Sequence, residues 1–242
     1  AKDLSHVRPI SNQERQQRRD KATALMQQHG IAALVLSAST SLYYFTGLSW
    51  YQSERLVGAV MTNSGKLIFV SPAFEDSKLR ETLGDQADIR LWEEDESPYA
   101  LVAQIFKDEN VYGKVALDEA APFFIADGLR QALSSYDIVN GMVITAECRM
   151  HKSVNEIALM QAAKNITLEV QRRTAKILRD GISSTEVADF INQAHRAFGG
   201  SSSTFCIVSF GLLTSIPHGP DGVQYLKEGD MVLIDTGCMI ER

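Results

Sequence analysis

The sequence predicts an α/β domain over residues 1–148 and a second domain over 149–242 that opens with long helices. Three observations carry this reading. Ile31-Ala-Ala-Leu-Val-Leu36 is a continuous apolar run that follows a helical pattern, as a strand covered on both faces would. Short strand-like and helix-like segments then alternate as far as Val139. Around Glu147-Cys-Arg149-Met-His-Lys152-Ser153 the alternation gives way to a long helical pattern from Val154 to about Leu178.

Each element has a local cause. Ser11-Asn-Gln-Glu14 has capping-box spacing ahead of a helix carrying Ala22, Leu25 and Met26, and Gly30 closes it. After the first strand, Ser41-Leu-Tyr-Tyr-Phe-Thr46-Gly47 reads as an aromatic-rich packing turn. Residues 57–61 and 66–70 form a hairpin around Asn63-Ser-Gly65. Ser71-Pro72 is expected to open a helix reaching Leu83, and Ser97-Pro98 another reaching Phe106, with a short strand over 89–92 between them. Strands over 114–117 and 136–139 flank a helix over 122–133. In the long helix after Val154, Ile157, Met160, Ala163 and Leu168 approximate one apolar stripe. Asp180-Gly181 ends it, Ser184-Thr-Glu186 starts another reaching Phe198-Gly-Gly200, and 204–210 is an apolar strand.

Composition narrows the function. Of 242 residues, 45% are hydrophobic and 22% charged, the balance of a globular protein with a real core. Asp and Glu outnumber Lys and Arg by 30 to 24, so the net charge of −6 offers no general field for nucleic acid or an anionic membrane. The chain has no apolar run of the roughly 18 to 20 residues that span a bilayer, and its polar start lacks a signal peptide's apolar core. A cytoplasmic protein is expected, with no nucleic-acid or membrane partner. Cys148, Cys206 and Cys238 are widely spaced without a CxxC pattern and read as buried free thiols. Glu93-Glu-Asp-Glu96 reads as a solvated loop. Gly199-Gly-Ser-Ser-Ser203 lacks the Gly-Lys-Ser/Thr ending of a phosphate loop and reads as a turn.

The C-terminal stretch is the richest in chemistry. Ser215-Ile-Pro-His218-Gly-Pro precedes Leu226-Lys-Glu-Gly-Asp230, and Met231-Val-Leu-Ile234 then reads as a buried strand that ends at Asp235-Thr-Gly237. An ionised Asp at a buried strand end needs a hydrogen bond, an ion pair or a metal. Taken alone, it reads more readily as a turn residue bonded to nearby amides. His218 is held between Pro217 and Gly219, which constrains its backbone; its ring can project from the loop, but taken alone it reads as an ordinary turn histidine. His6, His29, His151 and His195 have no sequence neighbours arranged for catalysis and read as surface or packing residues.

Pro217-His218-Gly219, a short loop, Leu226-x-x-Gly229-Asp230 and Val232-Leu-Ile-Asp235-x-Gly237 resemble the front of the catalytic motif of the pita-bread metallopeptidases. This family includes methionine aminopeptidase, aminopeptidase P, prolidase and creatinase. Ser41–Gly47 with the hairpin after it resembles the creatinase/prolidase N-terminal domain, and Arg149, Lys152-Ser153 and Glu156-Ile157 resemble the linker and first catalytic helix. The order of these stretches points to the aminopeptidase P, prolidase and creatinase branch. The resemblance implies two divalent metal ions, manganese, cobalt or zinc, with Asp235 as the first ligand and His218 as a non-ligand donor to the substrate or to developing oxyanion charge. It also implies a homodimer acting on peptides with proline in second position, as an Xaa-Pro aminopeptidase or dipeptidase.

The family's remaining ligands, a second Asp, a His and two Glu, have no counterpart before Arg242. The chain is therefore expected to be a fragment cut inside an incomplete α+β pita-bread catalytic domain, inactive by itself. Arg242 also stands where the family commonly has Gly. On the same scaffold, relatives hydrolyse creatine, cleave dimethylsulfoniopropionate or bind partners without catalysis. Retention of both His218 and Asp235 speaks for chemistry over pure binding.

Overall fold

The computed structural model describes residue 4 and residues 7–240, so His6 and Arg242 lie outside the described residues. The chain divides into two compact units, one formed by Ser11–His151 and the other by the described residues of Ala1–Ile10 and Lys152–Arg242.

In the first unit, α1 (Asn12–Gln28) starts where the Ser11 hydroxyl accepts from the Glu14 amide at 3.1 Å. Strands β1 (Ala33–Ser37), β2 (Gly58–Thr62), β3 (Leu67–Pro72), β4 (Ile89–Trp92), β5 (Lys114–Leu117) and β6 (Asp137–Asn140) form one sheet in the order β4-β3-β2-β1-β5-β6. The β1–β2 and β2–β3 pairs are antiparallel and the other pairs parallel. Alternation along each strand sorts the apolar side chains onto two faces. Leu34, Leu36, Met61, Phe69 and Ala116 pack with Ala22, Met26 and Phe45 on one side. Ala33, Val35, Val60, Ile68, Val115 and Leu117 pack with Val102, Ile105, Phe106, Ile125 and Leu129 on the other. The latter come from α4 (Pro98–Asp108) and α5 (Phe123–Ala132). The apolar run of β1 is thus buried at all five of its positions because helices cover both faces.

Three local expectations need correction. Ser41–Thr46 is helical within α2 (Thr40–Thr46), with Gly47 closing it at φ +82°. So short a helix is closed from outside. Arg18 Nη1 donates to Tyr44 O at 2.9 Å and Arg19 Nη1 to Phe45 O at 2.7 Å, satisfying carbonyls at its C-terminal end. Ser71 and Pro72 end β3, paired with Leu91 and Trp92, so the helix α3 (Asp76–Leu83) begins only after the 3-10 turn Ala73–Glu75. The extended backbone of Pro72, ψ 146°, suits that strand end. A helix absent from the sequence reading, α6 (Met142–Met150), buries Ile144, Thr145 and Cys148. Its exposed Met142, Val143 and Met150 blur the amphipathic pattern.

The second unit packs α7 (Val154–Thr174) and α8 (Ser184–Ala197) on the antiparallel ribbon of β7 (Ser203–Phe210) and β8 (Val232–Cys238). Both helices start in capping boxes, Ser153 with Glu156 and Ser183 with Glu186. The apolar stripe of α7 differs from expectation. Ala162, Ile166, Val170 and Thr174 are buried, whereas Ile157, Met160 and Leu168 are more than half exposed. A four-residue repeat keeps close to one face of a 3.6-residue helix, and the expected set does not. Ile166, Val170, Val187, Ile191, Val208, Phe210 and Leu226 form the core. The unit is α+β, as the sequence predicts.

Candidate metal and substrate site

Asp235 is not at the end of its strand. The ribbon continues through Thr236 and Gly237 to Cys238, with Asp235 opposite Ile207, Thr236 opposite Cys206 and Gly237 opposite Phe205. Thr236 Oγ1 donates to Phe205 O at 2.9 Å, so the expected turn residues instead extend the pairing. Nor is the strand deeply buried. Its residues are half-buried and Asp235 is exposed, which removes the burial cost argued from sequence. Among the described residues the Asp235 carboxylate makes no hydrogen bond or ion pair, so both oxygens are available.

His218 is exposed on the segment between β7 and β8. This segment is pinned at each end. At its start, the Gly211 amide donates to Met231 O at 2.8 Å, and the Asp230 carboxylate lies 2.9 Å from where a Gly211 Cβ would stand. With φ +56° as well, Gly211 has two reasons to be glycine. At its end, Gln224 Oε1 accepts from the Phe210 amide at 2.9 Å and its Nε2 donates to Val208 O at 3.4 Å. Gln224 thereby replaces a neighbouring strand along the β7 edge. Its backbone is held by Ser184, whose amide donates to Gln224 O at 2.8 Å. A lone Gln in a loop offers no sequence signal for this role.

Between those anchors, a Cβ on Gly219 would lie 3.3 Å from Ile207 Cγ2. Ile207 is the cross-strand partner of Asp235, and paired residues project from the same face. The residue next to His218 therefore rests on the ribbon face that presents Asp235.

The opposite ribbon face is structural. Burial pushes the Cys206 and Cys238 thiols up, which suits inert thiols. Both are half-buried, less enclosed than expected, and all three cysteines are free. His195 is a satisfied core residue, with Nδ1 2.9 Å from Ser203 Oγ and Nε2 3.2 Å from Thr167 Oγ1. Elsewhere, His29 and His151 are exposed helix-end residues, and residues 93–96 form an exposed loop in which Glu94 takes two 2.8 Å bonds from Arg55.

Asp235 suits a divalent cation in kind, since a carboxylate is a hard oxygen ligand and no described group competes for it. It offers a single carboxylate. Among the described residues no group of three or more His, Cys, Asp or Glu is placed to hold a metal.

An α/β domain joined to an α+β unit that carries a strand Asp under a Pro-His-Gly loop defines the two-domain pita-bread class. The chain belongs to the creatinase/prolidase family of that class: the Creatinase/Prolidase N-terminal domain matches residues 18–151 and Metallopeptidase family M24 matches residues 158–242. The chain is 28% identical over 225 residues to the putative dipeptidase YkvY of Bacillus subtilis, covering 91% of this chain and 61% of that protein. It is also 28% identical over 218 residues to the probable dipeptidase PepE of Mycobacterium tuberculosis, covering 89% and 57%. The crystal structure of dipeptidase PepE from Mycobacterium ulcerans superposes with a TM-score of 0.84 at 27% identity, over 93% of this chain and 60% of that one. A recombinant prolidase from Thermococcus sibiricus shares the fold, with a TM-score of 0.80 at 24% identity over 92% and 61%. The chain thus spans about three-fifths of the length of these relatives.

Among the described residues no helix is long and apolar enough to cross a membrane.

Proposed function

We propose that the complete gene product is a metal-dependent peptidase that hydrolyses N-terminal Xaa-Pro bonds, as a dipeptidase or aminopeptidase. In this reading residues 1–148 form the creatinase/prolidase-like domain and 149–242 the first part of the catalytic domain. The observation that carries it is the exposed, unengaged Asp235 carboxylate on the ribbon face where the His218 loop rests. Asp235 serves as a ligand to a divalent centre of manganese, cobalt or zinc. Such a centre, when bound, supplies an activated water and polarises the scissile carbonyl. His218 holds a hydrogen bond to the substrate or to the oxyanion that develops from that carbonyl, an interaction worth about 2.7 to 4 kcal/mol in a transition state. The active form is a homodimer, checkable by light scattering.

The test is steady-state kinetics of the complete gene product on matched Xaa-Pro and Xaa-Ala dipeptides, with elemental analysis of bound metal. Xaa-Pro hydrolysis is expected. His218→Ala should lower kcat by about 100-fold or more with metal retained, whereas Asp235→Asn should lose metal as well. Cleavage of Xaa-Ala without Xaa-Pro would overturn the specificity, and unchanged kinetics in His218→Ala would remove that residue from the site.

A further inference from the structure

One face of the β7–β8 ribbon is given to the core, which takes Cys206, Val208, Phe210, Val232, Ile234 and Cys238 from it. Side chains alternate along a strand, so Phe205, Ile207, Leu233 and Asp235 project from the other face. There Phe205 is 49% exposed, and Asp235, its diagonal neighbour, is exposed as well.

The Phe205 ring has a defined place. Its cross-strand partner is Gly237, and a Cβ on Gly237 would lie 3.4 Å from Phe205 Cε1 and 3.8 Å from Cζ. The ring therefore leans across the ribbon onto β8 and lies against the position that a glycine leaves bare. Asp235 is two residues along β8 on the same face, about 7 Å away at a rise of about 3.4 Å per residue. At that distance an aromatic wall stands beside the carboxylate without covering it. The His218 loop reaches this face from the other direction, since it leaves β7 after Phe210 and Gly219 rests on Ile207, opposite Asp235.

The loop, Asp235 and Phe205 thus follow one another along the ribbon, and each meets a different part of a peptide. An exopeptidase must hold the free amino group of its substrate, and the Asp235 carboxylate, directly or through a cation, is the group on this face that attracts it. His218 serves the carbonyl of the scissile bond. The side chain of the N-terminal residue branches from the carbon between amine and carbonyl, and the space for it away from the loop is the side where Phe205 stands. Aromatic walls of this kind bury apolar groups. We propose that Phe205 is a specificity-determining residue: its ring packs against the side chain of the substrate's N-terminal residue and favours an apolar one there. This rests on the reading of the chain as a peptidase with Asp235 at its centre.

The test is steady-state kinetics of the complete gene product on Leu-Pro and Gly-Pro, with Leu-Ala and Gly-Ala beside them, together with elemental analysis of bound metal. Wild type should favour Leu over Gly. Phe205→Ala should lower that ratio of kcat/KM values about 10-fold, the scale of a lost apolar contact in a substrate pocket, with metal retained. Phe205→Leu keeps an apolar wall and should hold the ratio within about threefold of wild type, whereas Phe205→Gln, polar and of similar reach, should lose it as Phe205→Ala does. A wild-type ratio in both Phe205→Ala and Phe205→Gln would overturn the proposal. Loss of metal in both would do so too, because the ring would then be a support for Asp235. The dipeptides separate the two levels. If wild type cleaves neither the Pro nor the Ala pair, the peptidase reading fails and this inference with it; if it cleaves either pair and the ratio ignores Phe205, only the Phe205 inference fails.

Discussion

Replacing His195 with Leu tests how the second unit is held together. The ring is fully buried and joins α8 to the start of β7 through Ser203 and to α7 through Thr167. Leucine fills much of the volume but leaves both hydroxyls without this partner. An unsatisfied buried hydroxyl costs about 1 to 3 kcal/mol. Ser203 and Thr167 are only half-buried, so the lower end applies to each, and a loss of about 2 kcal/mol at pH 7.5 is expected. The pH dependence makes the test specific. Burial lowers the His195 pKa, so the folded state favours the neutral ring and the unfolded chain binds the proton more readily. Wild-type stability from this group is therefore present above the unfolded value of about 6.5 and is lost as pH falls below it toward the lower folded value. Leucine has no proton to bind, so the deficit of His195→Leu should narrow between pH 7.5 and pH 5 in urea denaturation. An equal deficit at both pH values would refute a buried neutral imidazole.

Two further outcomes follow from the first unit. Gly58→Ala would place a Cβ 2.1 Å from Leu36 O, a backbone atom in the middle of the sheet, so a loss of at least about 1 to 3 kcal/mol is expected in the urea midpoint; a change under about 0.5 kcal/mol would contradict the register. Burial pushes the Cys148 thiol up to about 11, so at pH 8 the native protein should be labelled at Cys206 or Cys238 before Cys148. Peptide mass mapping that found Cys148 labelled first would refute its burial.

Much of the fold was legible because its causes are local. Ser11 and Ser97 each accept from an amide three residues on, and such bonds need no distant partner. The hairpin around Asn63-Ser-Gly65 and the buried run of β1 likewise follow from turn chemistry and apolar content. Where a distant group decides, the reading failed. The α2 helix depends on arginines about 26 residues away in sequence, and Ser71-Pro72 joins a strand because β4 pairs with it. The face α7 buries was set by α8 and the ribbon, against which Ile157, Met160 and Leu168 do not pack.

The candidate site divides the same way. The sequence singled out His218 and Asp235 through their resemblance to a family motif, since residue type and spacing taken alone also fit turn residues. Only the tertiary structure decided that Asp235 lies within a continuing strand and that Gly219 rests on the residue opposite it. Those facts depend on cross-strand register and on a loop pinned by Met231 and Gln224. Such long-range pairing leaves no periodic trace in the residues it joins, because the partner that satisfies each group lies elsewhere in the chain.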